Sequence, residues 1–271
     1  MNMNKQIILQ IAIFILLLSC SKDRLEDVSI TSEETFSSQI LDDDFPLYYY
    51  LPTDFSNSNN YPIVYLLDGD WHTERIAKEL NQLWKENSIP KCILVGIGNS
   101  DERARDYTYP TDNDFDKNSG HADKFYDFIK EELVPHVEEN YSIDTTSRHI
   151  LGHSAGGFFV LYAMFRDENL VNPLFKGFVA ASPSIHWVNG YLFGMEQELS
   201  ERTNDLHCSL FISTGSDEGV AINVLAIEMY ERLLKRNYTG FEIDYLNLKD
   251  KAHEGASIPG LIEGIKYTFN N

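Results

Sequence analysis

Arg148-His149-Ile150-Leu151-Gly152-His153-Ser154-Ala155-Gly156-Gly157-Phe158-Phe159-Val160-Leu161-Tyr162 decides the fold of this chain. Arg148 to Leu151 reads as a short buried strand, and Phe158 to Phe165 reads as a buried helix. Between them the pattern Gly-x-Ser-x-Gly leaves only a few residues for the turn. A strand that turns so sharply into a helix holds its serine in strained backbone geometry and presents Oγ, while small residues two places to either side let strand and helix pack closely. Ser154 is therefore the candidate nucleophile of a strand-turn-helix elbow.

Working outward, apolar runs of strand length alternate with longer segments of helical period. Leu47 to Leu51, Ile63 to Leu67, Cys92 to Val95, Gly177 to Ala181, Leu210 to Ser213 and Phe241 to Leu246 read as strands. Trp71 to Asn87, Ala122 to Asn140, Ala221 to Arg236 and Ile258 to Phe269 read as helices, with a kink or break expected at Pro135 and a long loop before Gly120. The alternation predicts an α/β fold: a mostly parallel central sheet flanked by helices, as the α/β-hydrolase architecture requires. Chemistry on such sheets gathers at the carboxyl ends of the strands.

Composition fits one such domain. With 271 residues, 43% of them hydrophobic, the chain can bury one large core. Acidic residues number 42 against 22 basic ones, a net charge of -20, which repels nucleic-acid phosphates and argues against a nucleic-acid partner. The acidity reads as a solvated surface. Cys92 and Cys208 lie in apolar strands that are not expected to be neighbours, and both read as small buried hydrophobes.

The first residues read as a targeting segment. Lys5 is followed by the run Ile7 to Leu18, apolar except for Gln10 and too short to span a bilayer, which takes about 20 residues. Leu17-Leu18-Ser19-Cys20 resembles a bacterial lipobox, in which the cysteine becomes the lipidated first residue. The expected organisation is a lipoprotein signal peptide at 1–19, a flexible acidic tether at 20–38 and a single α/β-hydrolase-type domain at 39–271. It implies a protein of the bacterial cell envelope, held to the membrane by lipid on Cys20, on the outer membrane and facing outward.

Ser154 needs a base that is neutral near pH 7, which points to histidine. On an α/β-hydrolase sheet the chain order is serine, acid, histidine. His207 precedes a strand and falls at the wrong end of the sheet. His186 leaves no later strand to supply the acid before it. His253, in a loop after the last strand, remains as the base. The acid should follow the strand ending at Ser213, where Asp217 and Glu218 both qualify. A tetrahedral oxyanion needs two N–H donors. Ala155 supplies one, and Asp70, or else Trp71, supplies the other; a carboxylate at Asp70 must point away from the developing charge. Trp71, Arg105, His186 and Trp187 are candidates for binding substrate, the rings by stacking and the arginine, one of the basic pair Arg103 and Arg105 near the expected mouth, by gripping an anionic or catecholic group. No pair of histidines has ligand spacing beside a carboxylate, so neither metal nor cofactor is expected.

Five segments in this order carry a resemblance: Tyr61-Pro62-Ile63-Val64-Tyr65-Leu66-Leu67-Asp68-Gly69, Arg105-Asp106-Tyr107-Thr108, Gly152 to Gly157, Ala181-Ser182-Pro183-Ser184 and His253-Glu254. The chain resembles the putative-esterase family of α/β-hydrolases, which includes siderophore, feruloyl and acetyl-xylan esterases, S-formylglutathione hydrolases and mycolyltransferases. The resemblance implies a serine hydrolase that cleaves a small-molecule or glycan ester through an acyl-enzyme. It places the acid at Glu218, the fourth residue of Gly215-Ser216-Asp217-Glu218. An acyltransferase of the same fold and a non-catalytic surface binder are the rival readings. The chain departs from the family's Arg-Asp-Tyr-Thr-Pro in having Tyr109 before Pro110.

Overall fold

β3 (Tyr61–Leu67) shows how the sequence builds two cores from one strand. Ile63, Tyr65 and Leu67 pack on one face while Val64 and Leu66 pack on the other, as the period-2 alternation of a strand requires. The computed structural model describes residues 31–98 and 101–271. The predicted signal peptide at 1–19, Cys20 and residues 21–30 of the expected tether lie outside the described residues.

The remaining strands are β1 (Ser32–Ser38), β2 (Asp43–Tyr50), β4 (Ile93–Ile97), β5 (Ile143–His153), β6 (Gly177–Ala181), β7 (Ser209–Gly215) and β8 (Glu242–Leu248). They form one eight-stranded sheet in the order β1-β2-β4-β3-β5-β6-β7-β8. β1 and β2 run antiparallel to their neighbours, and every pair from β4 to β8 is parallel. The helices are α1 (Gly69–Lys85), α2 (Arg103–Tyr107), α3 (Ala122–Phe128), α4 (Val134–Asn140), α5 (Ala155–Arg166), α6 (Tyr191–Arg202), α7 (Val220–Arg236) and α8 (His253–Phe269). α1 and α8 cover one face of the sheet, and α3 to α7 the other.

α5 is apolar almost all round, with every residue from Gly156 to Phe165 buried, because it lies between the sheet and the helices beyond it. The expected break near Pro135 takes the form of a π-helical turn at Ile129–Leu133, which leads directly into α4. There the Val134 N–H donates to the Ile129 carbonyl, five residues back. Such a turn absorbs the misfit of a proline that can neither donate nor tolerate the ordinary ladder.

Four expectations are corrected. Residues 32–38 of the expected tether are a strand, β1, paired in register with β2 from Ser32↔Tyr49 to Ser38↔Asp43. It is mostly exposed at the sheet edge, so it carries no apolar pattern for a sequence reading to detect. The loop before Gly120 contains the short helix α2, and α6 was not foreseen. α8 begins at His253 rather than near Ile258, running through Pro259. The proline cannot donate to the carbonyl four residues back, which belongs to exposed Gly255. Cys92 and Cys208 are buried free thiols, as expected.

Candidate active site

The elbow is built by backbone contact. A Cβ on Gly152 would lie 2.3 Å from the Gly156 carbonyl oxygen, so strand β5 and helix α5 meet there without room for a side chain. Ser154 turns between them at φ 60° and ψ -116°, a conformation a non-glycine residue adopts only when its surroundings fix it. The Ser154 N–H donates to the Ala181 carbonyl at 2.9 Å, which ties the turn to β6.

The first residue of α8 meets this serine from the far side of the chain. His253 Nε2 lies 3.0 Å from Ser154 Oγ, and His253 Nδ1 lies 3.1 Å from Glu218 Oε2. With Nδ1–H donating to the carboxylate, Nε2 is left to accept the serine proton. The Glu218 carboxylate is fully buried. Its Oε1 accepts from Ser182 Oγ at 2.5 Å and from the Gly215 N–H at 2.6 Å. Burial pushes the Glu218 pKa up, but hydrogen bonds from His253, Ser182 and Gly215 outweigh it and hold the group below the ordinary carboxylate value. Asp217 does not reach the histidine; its side chain accepts from the Ser216 hydroxyl in an exposed turn. Of the two acids that spacing leaves open, the structure brings Glu218 and not Asp217 to His253.

Behind the histidine lies a second one. His153 Nε2 donates to the His253 carbonyl at 3.1 Å, and the two rings stand 4.6 Å apart. Burial, with the neighbouring His253 and His72, lowers the His153 pKa to about 3, so it stands neutral.

Of the oxyanion candidates, Ala155 is the first residue of α5 and lines the cleft, where helix N–H groups have no intrahelical acceptor. Trp71 N–H is already used, donating to the Asp68 carbonyl at 3.0 Å. Asp70 is exposed and borders a separate acidic cavity with Asp43, Asp44, Asp101 and Glu102, so a site for its carboxylate exists away from Ser154.

The cleft over Ser154 has a volume of about 510 Å³, and Trp71, His186 and Trp187 line it as expected, together with Ser184 and Phe115. Arg105 does not. Its guanidinium pairs with Asp106 at 2.6 Å and with Asp43 at 2.8 Å, on the other side of α2. Arg103 takes the place assigned to it: two residues apart on a helix, the side chains point roughly 200° apart. Arg103 lines the cleft, lies bidentate on buried Asp68 and places its Cζ 4.9 Å from the Trp71 ring centroid. Phe115 was missed because it sits exposed in a polar loop, where nothing in the sequence separates it from an incidental aromatic; in the structure it stands edge-on to Trp187 at 5.2 Å. Among the described residues no group of three or more His, Cys, Asp or Glu is placed to hold a metal ion.

A serine on an elbow, a histidine within reach of it and a buried carboxylate behind, set in that chain order at the carboxyl edge of a parallel sheet, define a serine hydrolase of the α/β-hydrolase fold. Residues 38–204 match the family described as Putative esterase. The chain belongs to that family and is a serine carboxylic-ester hydrolase. The matched segment contains Ser154 but ends before Glu218 and His253, which the geometry supplies. The chain is 30% identical over 217 residues to the ferri-bacillibactin esterase BesA of Bacillus subtilis, covering 71% of this chain and 73% of that one. It is 30% identical over 148 residues to the apo-salmochelin esterase of Escherichia coli O6:H1, covering 50% of this chain and 45% of that one. An IroE-like serine hydrolase from Shewanella oneidensis shares the fold with a TM-score of 0.79 at 26% identity, over 88% of this chain and 80% of the other.

Proposed function

We propose that this enzyme hydrolyses the ester bonds of a siderophore, with Ser154 as nucleophile, His253 as general base and acid, and Glu218 as the group that orients the histidine. Ser154 Oγ attacks the ester carbonyl as its proton passes to His253 Nε2, and the imidazolium is stabilised by Glu218. The N–H groups of Ala155 and Asp70 receive the oxyanion. Collapse expels the alcohol, which takes the proton from Nε2. Water then repeats the sequence on the acyl-enzyme, with His253 again as base, and frees Ser154.

The observation that carries the reading is the Oγ–Nε2–Nδ1–Oε2 chain of contacts opening into a cleft walled by Trp71, Trp187, Phe115 and Arg103. Aromatic walls with a cation among them suit the aromatic, anion-forming groups of a catecholic siderophore, and two relatives are named for bacillibactin and salmochelin. A panel of acetyl, feruloyl and siderophore trilactone esters tests it. The trilactone should show the highest kcat/KM, and a fluorophosphonate probe should label the protein but not Ser154→Ala. A preference for acetyl or feruloyl esters would overturn the substrate, and labelling that persists in Ser154→Ala would overturn the nucleophile.

We also propose that lipid on Cys20 anchors the enzyme to the outer membrane, facing outward. The lipobox-like Leu17-Leu18-Ser19-Cys20 after an apolar run supports this. Fatty-acid labelling in cells that is lost in Cys20→Ala is the expected result, and labelling unchanged in that variant would overturn it.

A further inference from the structure

Ser182-Pro183-Ser184 leaves the end of β6 between the two ends of the catalytic chain of contacts. Ser182 is fully buried, with φ 45°, and its N–H donates to the Ser213 carbonyl at 2.6 Å. That backbone bond aims its hydroxyl at Glu218 Oε1, 2.5 Å away. With the Gly215 N–H on the same oxygen, Oε1 is held by two donors and Oε2 is left for His253. Two residues on, the Ser184 N–H donates to the Ser154 carbonyl at 3.0 Å, and Ser184 Oγ lies 3.4 Å from Ser154 Oγ. Pro183 locks the piece against the elbow: a Cβ on Gly157 would stand 3.0 Å from Pro183 Cα.

We propose that this turn is a brace for the triad, in which Ser182 is a positioning residue acting through Glu218 and Ser184 is a catalytic residue donating its hydroxyl proton in a hydrogen bond to Ser154 Oγ. The inference rests on the triad reading above. A hydroxyl donor on Ser154 Oγ stabilises the negative charge that grows there as the proton leaves for Nε2, and the charge draws the contact in from 3.4 Å. Ser154 Oγ–H donates to His253, so its lone pairs are open to a second donor on the Ser184 side. Neither hydroxyl transfers its proton, so the acid-base balance of the reaction is unchanged.

A double-mutant cycle separates positioning from plain structural support. Ser182→Ala should lower kcat on a p-nitrophenyl ester about tenfold with KM unchanged, the size of a hydrogen bond to a charged group. In a Glu218→Gln background the same substitution should cost less than about twofold. Ser182→Gly, which suits φ 45°, serves as a second variant should the alanine fail to fold. Equal losses in both backgrounds, or a loss confined to KM, would overturn the role of Ser182. Ser184→Ala should slow the acylation burst about tenfold and Ser184→Thr should restore most of it; an unchanged burst, or a loss that threonine does not restore, would overturn the role of Ser184. Stoichiometric fluorophosphonate labelling of the single variants confirms that the nucleophile itself is in place, so failure of the brace is distinguishable from failure of the triad.

Discussion

The Arg103 guanidinium lies bidentate on the Asp68 carboxylate, Nε to Oδ1 at 2.6 Å and Nη2 to Oδ2 at 3.0 Å, and the carboxylate it covers is fully buried. Asp68 follows β3 and precedes α1 in a left-handed conformation, and its N–H donates to the Tyr107 hydroxyl at 3.1 Å. The pair thus fastens the first turn of α1, which carries Asp70 and Trp71, to helix α2. Removing the arginine leaves a buried charge without its partner, which costs on the order of 3–5 kcal/mol, more than the pair itself contributes. Because Arg103 is 22% exposed, water offsets part of that loss and the lower end applies. Arg103→Ala should therefore lose about 3 kcal/mol in urea unfolding, and Arg103→Lys, which cannot bind bidentately, should fall between it and the native protein. A loss under about 1 kcal/mol would show that solvent screens the pair.

Glu218 and Asp217 are adjacent in sequence and unequal in geometry. Glu218→Gln keeps the shape but can present an amide donor to Nδ1, selecting the wrong tautomer, and kcat should fall by about 10³–10⁴. Asp217→Asn, in an exposed turn, should stay within about twofold. Steady-state kinetics on one activated ester decides it, and equal small losses would mean that serine and histidine act without an acid.

Acid should destabilise this protein before its carboxylates titrate. Burial lowers the pKa of His149 and of His153 to about 3, and burial with Arg75 and Arg103 lowers that of His72 to about 4. In the unfolded chain each takes up a proton near the ordinary value of about 6.5. Below that pH the unfolded state binds more protons than the folded one, so stability is full above 6.5 and falls as the pH drops toward 4. With three such groups the slope approaches about 4 kcal/mol per pH unit. Urea unfolding between pH 6.5 and 5 measures it; a flat profile over that range would mean that these histidines are solvated or charged in the folded state.

The elements legible in the sequence were those whose burial is periodic. β6 and β7 are buried along their whole length and β3 at every residue but Pro62, so they read as apolar runs; chain order on such a sheet gives His253 and narrows the acid to Asp217 or Glu218. β1 could not be read: Ser-Glu-Glu-Thr-Phe-Ser-Ser is held by backbone pairing to β2 and buries little. Arg103 and Arg105 were equivalent in composition and differ only through the turn of a five-residue helix, which spacing inside a long loop did not announce. Ser182 and Ser184 appeared as a motif without a role, since only the fold brings Glu218 to one and Ser154 to the other.

The two glycines of Gly-x-Ser-x-Gly should likewise prove unequal. A Cβ on Gly152 would meet the Gly156 carbonyl carbon at 2.4 Å and its oxygen at 2.3 Å, both backbone atoms of the elbow itself, so strand and helix would have to part. On Gly156 the nearest atoms are Asp68 Oδ2 at 3.4 Å and Leu67 Cβ and Cδ1 at 3.5 Å, ordinary contact distances. Alanine there also lowers the entropy of the unfolded chain and favours the helix, by about 0.4–1 kcal/mol. Gly156→Ala should therefore keep its fluorophosphonate labelling rate and unfold at equal or higher urea concentration. Gly152→Ala should lose labelling even where the circular dichroism of the fold survives, because parting strand from helix moves Ser154 Oγ away from Nε2. If both variants label alike, the close approach at Gly152 is not what holds the nucleophile in place.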